Sequence, residues 1–332
     1  MSRRWREDEI LLLARGYQSA CVLAAAADLG VFGVLAAEPL TARDVAHRLG
    51  ADTRGAAALL DALVALELLN KQDGRYAPAE GASELLTPES PGSVLAMVRH
   101  QANCLRRWSR MAESVRSGRP VERQPSIRGE AADQAAFIEA MDNVCRSVAG
   151  DVVADLGPPP FKRLLDVGGA SGTWTIAFLR ANPDATATLF DLPVATPLAE
   201  QRLAAAGLRD RVRLVAGDFL ADPLPAGHDL AWVSAIIHQN SRDQNRRLFR
   251  AVHQAMTDNG TLLIRDIVMD ESRTTPVAGA LFALNMLTAT EGGGTFTLDE
   301  IRADLQACGF CDASIIRPDE GMNTVVRATR AQ

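Results

Sequence analysis

From residue 163 onward, apolar runs of strand length alternate with stretches of helical period. The runs are RLLDV (163–167), ATATLFD (185–191), RVRLVAGD (211–218), DLAWVSAII (229–237) and TLLIRDIVM (261–269). Between them lie WTIAFLRAN, ATPLAEQRLAAAG and SRDQNRRLFRAVHQAM, whose apolar residues recur at helical spacing. Parallel neighbours in a sheet cannot be joined by a tight turn; they need a crossover of about a dozen residues or more, which a helix supplies. The alternation therefore predicts an α/β fold with a doubly wound, mainly parallel sheet. Two late segments, ASIIRP and NTVVRATR, read as a closing antiparallel hairpin and bring the sheet to seven strands. GPPP at 157–160 marks where this pattern begins, because successive prolines cannot continue a helix.

The first hundred residues carry helical patterning and no long strand. Ser19 to Leu29 reads as a helix ending at Gly30, and Thr41 as the cap of a short helix closed by Gly50. Asp52 or Thr53 then caps a longer one, TRGAAALLDALVALELL, with Leu59, Leu60, Leu63, Leu66 and Leu69 at helical spacing. Asp73-Gly74 signals a hairpin turn. Helix, short helix, long helix and hairpin together describe a winged helix-turn-helix. Residues 83–157 continue as a run of helices, broken at Gly118-Arg-Pro120 and Gln124-Pro125.

A winged helix can read DNA or serve as a packing and dimerisation unit, and the side chains favour the second. The would-be recognition helix opens Thr53-Arg54-Gly55-Ala56-Ala57-Ala58, almost without groups able to read base edges, and then carries Asp61 and Glu67. Charge agrees. Residues 1–160 hold 18 basic and 21 acidic side chains and residues 161–332 hold 17 and 20, so each half stands at −3 of the total −6. A phosphate-binding domain shows a net basic face. The excess of Arg over Lys, 33 to 2, does not cluster, and marks a GC-rich genome rather than a function. No nucleic-acid partner is expected.

Secretion and membrane insertion are not expected either. The start has basic residues but also Glu7, Asp8 and Glu9 before a very short apolar run, unlike a secretory signal. The most apolar stretch, 20–37, is broken by Asp28, Gly30 and Gly33 and makes a poor membrane span. With 47% hydrophobic and 23% charged residues, the chain reads as a cytoplasmic globular protein. Five scattered cysteines imply no disulfide framework. Cys308-Gly-Phe-Cys311 has the spacing of a redox pair or half a zinc site. A second pair or a suitably spaced histidine pair is missing, so the spacing reads as coincidence and no metal is expected.

In open α/β sheets, ligands sit at the carboxyl ends of the strands where the strand order reverses. The first strand ends Asp166-Val-Gly168-Gly169-Ala-Ser-Gly172. The dinucleotide fingerprint G-x-G-x-x-G is absent; D-x-G-x-x-x-G stands instead and suits a nucleoside without a pyrophosphate. The second strand ends in Asp191, an acid able to accept hydrogen bonds from both hydroxyls of a ribose. The third ends Gly217-Asp218-Phe219, a carboxylate for an adenine amino group beside an aromatic that can cover the ring.

These three strand tips, DVGG, FD and GDF, resemble those of the class I S-adenosylmethionine-dependent methyltransferases. With the winged-helix front end, the chain is similar to the small-molecule O-methyltransferases of the caffeic acid, acetylserotonin and bacterial antibiotic-tailoring type, from about residue 10 to about residue 328. The resemblance implies S-adenosylmethionine as donor and a hydroxyl of a small, aromatic or similar ring as acceptor. It also implies a homodimer intertwined through the N-terminal domain, and cofactor contacts from Gly168, Asp191, Asp218 and Phe219, with Ser234 where plant members often place Lys or Arg. The expected organisation is a winged-helix dimerisation domain over 1–105, a helical connector contributing to the substrate pocket over 106–160, and an S-adenosylmethionine-binding catalytic domain over 161–332.

The fourth strand ends Ser234-Ala-Ile-Ile-His238, at the tip where the family keeps its general base. A phenol has a pKa near 10 and an imidazole one near 6.5, so a neutral histidine is a workable proton acceptor near neutral pH. The fifth strand carries Asp266, where the family places a carboxylate that orients the base; a salt bridge to Arg265 is the plainer alternative. Phe137 and Met141 match the family's F-x-x-x-M pair lining the acceptor ring, and Asn285, Met286 and Thr290 lie on LFALNMLTAT, which the family also uses as pocket wall. The chain departs from the family at Gln239 and Asn240, where Asp-Trp often follows the base, and at Thr295, where a second glutamate is expected. Carbon methylation, a non-methylating use of the cofactor, and a nucleoside-sensing regulator are the rival readings.

Overall fold

A computed structural model describes residues 3–157 and 160–331; Pro158 and Pro159 of the GPPP stop lie outside the described residues. The chain forms two compact units, one from residues 1–109 and 123–143 and the other from residues 110–122 and 144–332.

The second unit is built on seven strands: β1 (Arg163–Val167), β2 (Thr186–Asp191), β3 (Val212–Ala216), β4 (His228–Ser234), β5 (Met256–Asp266), β6 (Phe310–Arg317) and β7 (Thr324–Arg330). Across the sheet the order is β6-β7-β5-β4-β1-β2-β3. β1 to β5 pair in parallel, while β7 runs antiparallel to both β5 and β6. The order therefore reverses between β1 and β4, and their carboxyl ends flank the crevice where a doubly wound sheet receives its ligand.

The connecting helices are α1 (Thr173–Ala181), α2 (Thr196–Ala205), α3 (Arg242–Ala255), α4 (Val277–Ala289) and α5 (Leu298–Gln306). Alternate strand residues serve two separate apolar layers. Leu165, Val167, Leu262 and Ile264 pack with Leu248 and Val252 of α3 and Ile301 and Leu305 of α5. Leu164, Leu189, Trp232 and Leu263 pack with Phe178 of α1, Leu203 of α2 and Val152 and Val153 of the helix Ala149–Leu156. Burial on both faces is why these strands read as continuous apolar runs rather than alternating ones.

Several strand ends differ from the sequence expectation, three of them near the site or hidden by polarity. β4 stops at Ser234 instead of 237, because Ala235 takes a left-handed φ of 57° and Ile237–Gln239 winds into a single tight turn. β3 ends at Ala216, leaving Asp218 and Phe219 in the loop beyond. β5 begins at Met256, through Asp258-Asn259-Gly260, whose polarity hides it as a strand.

The first unit is mainly helical. Thr41 caps Ala42–Leu49 in a reciprocal capping box with Asp44, Gly50 closes that helix at φ 62°, and the Asp52 carboxylate caps Thr53–Ala65 through Gly55 N–H at 2.9 Å. The longer helix is shorter than its leucine spacing predicts. The chain turns at Leu66 and Glu67, the latter at φ 61°, so Leu69 is buried as the first residue of a strand. Strands Leu69–Gln72 and Arg75–Pro78 form the hairpin, turning at Asp73 and Gly74 with φ 50° and 73°, and Leu40–Thr41 adds a third strand. The helix at Ser19 begins at Tyr17 and is preceded by another, Glu7–Arg15. Together Glu7–Leu29 is long and apolar enough to cross a membrane by length and composition alone, and it is largely exposed.

Candidate active site

The glycine-rich turn after β1 is shaped by close packing as well as by backbone freedom. Gly168 stands at φ 68°, and a Cβ there would overlap Ile236 Cδ1 while lying 3.9 Å from the Phe219 ring. A Cβ at Gly169 would stand 2.6 Å from Leu189 Cγ and 2.9 Å from the Asp166 carboxylate. The turns leaving β1 and β4 are thus pressed together at the point where the strand order reverses, and Phe219 from the β3 loop reaches the same spot.

Asp191 ends β2 with its carboxylate facing this turn. Ala170 N–H donates to Oδ2 at 2.7 Å and Leu192 N–H to Oδ1 at 2.6 Å. Each oxygen keeps one further acceptor position, the arrangement a vicinal diol requires. Burial pushes the Asp191 carboxyl above the usual carboxylate range, against the pull of those two N–H donors. Behind it, Asp166 is fully buried beneath Gly169 and is pushed up to about 7 by desolvation, opposed by the Thr175 hydroxyl at 2.6 Å. Asp218 is exposed, with Oδ1 accepting from Leu220 N–H at 2.9 Å.

The β4 turn carries the candidate base. His238 is buried, and its Nδ1 lies 2.9 and 3.0 Å from the two oxygens of Asp266. Asp266 also accepts the backbone N–H of His238 at 3.3 Å and of Ile267 at 2.8 Å. An ionised carboxylate only accepts, so Nδ1 carries the proton and the imidazole lone pair stands on Nε2, which has no partner among the described residues. The His238 carbonyl accepts Gly294 N–H at 2.9 Å. Asn245 donates to Ile237 O at 2.9 Å and accepts from Asn240 at 3.1 Å, tying down the turn.

Arg265 does not pair with Asp266. Successive strand residues point to opposite faces, and Arg265 instead donates to Asn323 Oδ1 at 2.7 and 3.0 Å and to Ser234 Oγ at 3.1 Å, with its guanidinium over the Trp174 ring. Thr295 is buried, but its hydroxyl turns to Gly279 O at 3.4 Å. Gln239 is exposed and bonds back to Ala235 O at 3.0 Å. The group that does meet the imidazole is one the sequence reading missed: the Phe282 ring on α4, with centroids 4.9 Å apart and planes at 81°. Nothing in its place in the sequence announces that contact.

On α4, Asn285 is half-buried and Met286 buried, while Thr290 Oγ1 accepts Gly293 N–H at 2.9 Å and donates to Met286 O at 2.9 Å. Phe137 and Met141 lie in the first unit on the helix Glu130–Arg146. Phe137 is 43% exposed with its ring tilted against His100 at 5.1 Å, and burial pushes His100 down to about 4. Among the described residues no three His, Cys, Asp or Glu side chains could hold a metal. Cys308 and Cys311 are free thiols donating to different carbonyls, Arg246 O and Thr329 O.

Residues 109–311, more than half of the chain, match the O-methyltransferase domain. The chain belongs to the O-methyltransferase family. Residues 11–88 of this O-methyltransferase match the O-methyltransferase dimerisation domain. It is 34% identical to a 3-hydroxy-5-methyl-1-naphthoate 3-O-methyltransferase of Streptomyces sahachiroi, over 96% of this chain and 94% of that one. It is 30% identical to the N,N-dimethyltransferase OxyT of Streptomyces rimosus, over 91% and 90%. The structure of human N-acetylserotonin methyltransferase in complex with SAM superposes over the whole of both chains, with a TM-score of 0.80 and 27% identity. The enzyme is an S-adenosylmethionine-dependent O-methyltransferase. A glycine turn closed by packing and an acid with two acceptor positions left fit such a cofactor.

Proposed function

We propose that this enzyme methylates a hydroxyl of a small aromatic metabolite, with His238 as general base oriented by Asp266. The observation that carries the reading is the hydrogen bond from His238 Nδ1 to both Asp266 oxygens, at 2.9 and 3.0 Å, which leaves Nε2 as the acceptor nitrogen. Gly168, Asp191, Asp218, Phe219 and Ser234 would hold S-adenosylmethionine: the glycine by close approach, Asp191 at the ribose hydroxyls, Asp218 at the adenine amino group, Phe219 across the ring. When bound, the cofactor supplies an electrophilic methyl group on a sulfonium.

The protein's part is then proton transfer and positioning. Nε2 takes the acceptor's hydroxyl proton, and the buried Asp266 carboxylate stabilises the imidazolium that results. Asn285 and Met286, on the helix that also reaches His238, would contact the acceptor. The five free cysteines suit a reducing, cytoplasmic setting. The exposed apolar helix at the start of the dimerisation domain supports a homodimer.

The test is His238→Ala. Cofactor affinity by calorimetry should stay within about 2-fold, while methyl transfer to 3-hydroxy-5-methyl-1-naphthoate should fall about 10²–10⁴-fold, the usual contribution of a general base. Transfer near the wild-type rate would remove His238 from the role. The OxyT relative supports a second reading, methylation at nitrogen, so arylamines belong in the same panel as phenols, quinones and tetrapyrroles. Turnover of amines alone would favour that second reading.

A further inference from the structure

We propose that Phe282 is a positioning residue that fixes the plane of the His238 imidazole, a role that rests on His238 being the base. A histidine ring is poorly restrained about its outer torsion, which is broad and two-fold. One carboxylate does not remove that freedom. Asp266 meets Nδ1 through two nearly equidistant oxygens, at 2.9 and 3.0 Å, so the ring can tilt about the line joining them without losing its hydrogen bond. The second carboxylate expected on the loop before α5 is absent, since Thr295 stands there with its hydroxyl on Gly279 O. What meets the ring instead is Phe282, nearly perpendicular to it at 81°. A tilt of the imidazole would drive it into that ring.

The depth of α4 makes the contact possible. A Cβ at Gly279 would overlap Met269 Sδ and stand 2.7 Å from Ile267 Cγ2, so the helix backbone lies directly on the segment that follows Asp266. Phe282 is three residues further along, on the same helix face. The end of β5 therefore sets both restraints on His238: Asp266 directly, and Phe282 through the seat of α4 on Ile267 and Met269. The loop 292–294 closes the arrangement on the backbone side. Gly294 N–H holds the His238 carbonyl, and a Cβ at Gly293 would stand 2.5 Å from that same oxygen.

The experiment compares Phe282→Leu, which keeps an apolar side chain without a flat ring, with Phe282→Tyr, which keeps the ring. Histidine-labelled 15N spectra, with His238 assigned by its loss in His238→Asn, read the imidazole directly. The wild type should show one tautomer, protonated on Nδ1. In Phe282→Leu Nδ1 should stay protonated while the His238 ring signals broaden as the ring samples several orientations, and kcat with 3-hydroxy-5-methyl-1-naphthoate should fall about 10-fold or more, the scale of a small misplacement of a reacting group. Cofactor affinity by calorimetry should not change, which also shows that the variant is folded. Phe282→Tyr should restore both the spectrum and the rate. A wild-type spectrum in Phe282→Leu would overturn the proposal, as would a loss that Phe282→Tyr does not restore, because plain packing would then explain it. An altered spectrum with unchanged kcat would also overturn the proposal, because the plane of the ring would then not matter to turnover, while His238→Ala separately tests whether His238 is the base.

Discussion

Asp166 and Asp266 are both 1% exposed, yet they meet different partners. Asp266 receives an imidazole N–H and two backbone N–H groups. Among the described residues Asp166 receives donors only from Thr175; it lies near Asp191 and is pushed up to about 7. Its ordinary value, and so its value in the unfolded chain, is 3.8. Between these two values the folded state binds more protons than the unfolded state, so stability is greatest below the lower value and is lost as pH rises through the upper one. The slope is about 1 kcal/mol per pH unit while the window lasts. Asp166→Asn removes this group's titration and nothing else that titrates. Urea unfolding at pH 5, 6, 7 and 8 should therefore show the wild type losing stability relative to the variant as pH rises. Parallel curves would mean that Asp166 is ionised in the fold at all four values.

At the scale of elements, the turn after β1 and the turn after β4 depend on each other through one atom. Gly168→Ala places a methyl group that overlaps Ile236 Cδ1, at a φ of 68° that costs an L-residue roughly 1–2 kcal/mol by itself. Cofactor affinity should fall at least 10-fold, and Ile236→Val, which removes that Cδ1, should recover part of the loss in the double variant. No recovery would mean that backbone strain alone accounts for the damage. Much of this turn was legible beforehand. Strands covered on both faces announce themselves as apolar runs, so RLLDV matched β1 to the residue, and the acids at the strand tips pointed at a nucleoside. Less legible was the exit of β4: Ala235 adopts a left-handed turn that an alanine does not signal, and the apolar Ile236 and Ile237 extended the apparent strand. Leu69 misled in the same way, keeping helical spacing although the helix had already ended. Phe282 was not legible as a partner of His238. That contact depends on how deeply α4 seats against Ile267 and Met269, a packing depth that Gly279 permits but does not announce.

For the molecule as a whole, the unresolved cost lies at the start of the first unit. Ile10, Leu11, Leu12, Leu13 and Tyr17 are all exposed on Glu7–Leu29, Leu12 at 74% and Leu13 at 68%. A cluster of this kind on one chain needs a cover, either a second copy or a lipid surface. The match of residues 11–88 to a dimerisation domain favours the second copy. Burying a leucine side chain contributes roughly 2 kcal/mol, so four leucines from two copies contribute on the order of 8 kcal/mol, or more than 10⁵-fold in affinity. Leu12→Asp with Leu13→Asp should therefore convert a dimer at micromolar concentration into a monomer in sedimentation velocity. Because both side chains are already exposed within one chain, the monomer should keep its helical circular dichroism and its cofactor affinity. Persistence of the dimer would place the interface elsewhere. A wild type that sediments as a monomer and pellets with phosphatidylglycerol vesicles, with the charged variant losing that association, would identify the cover as lipid instead.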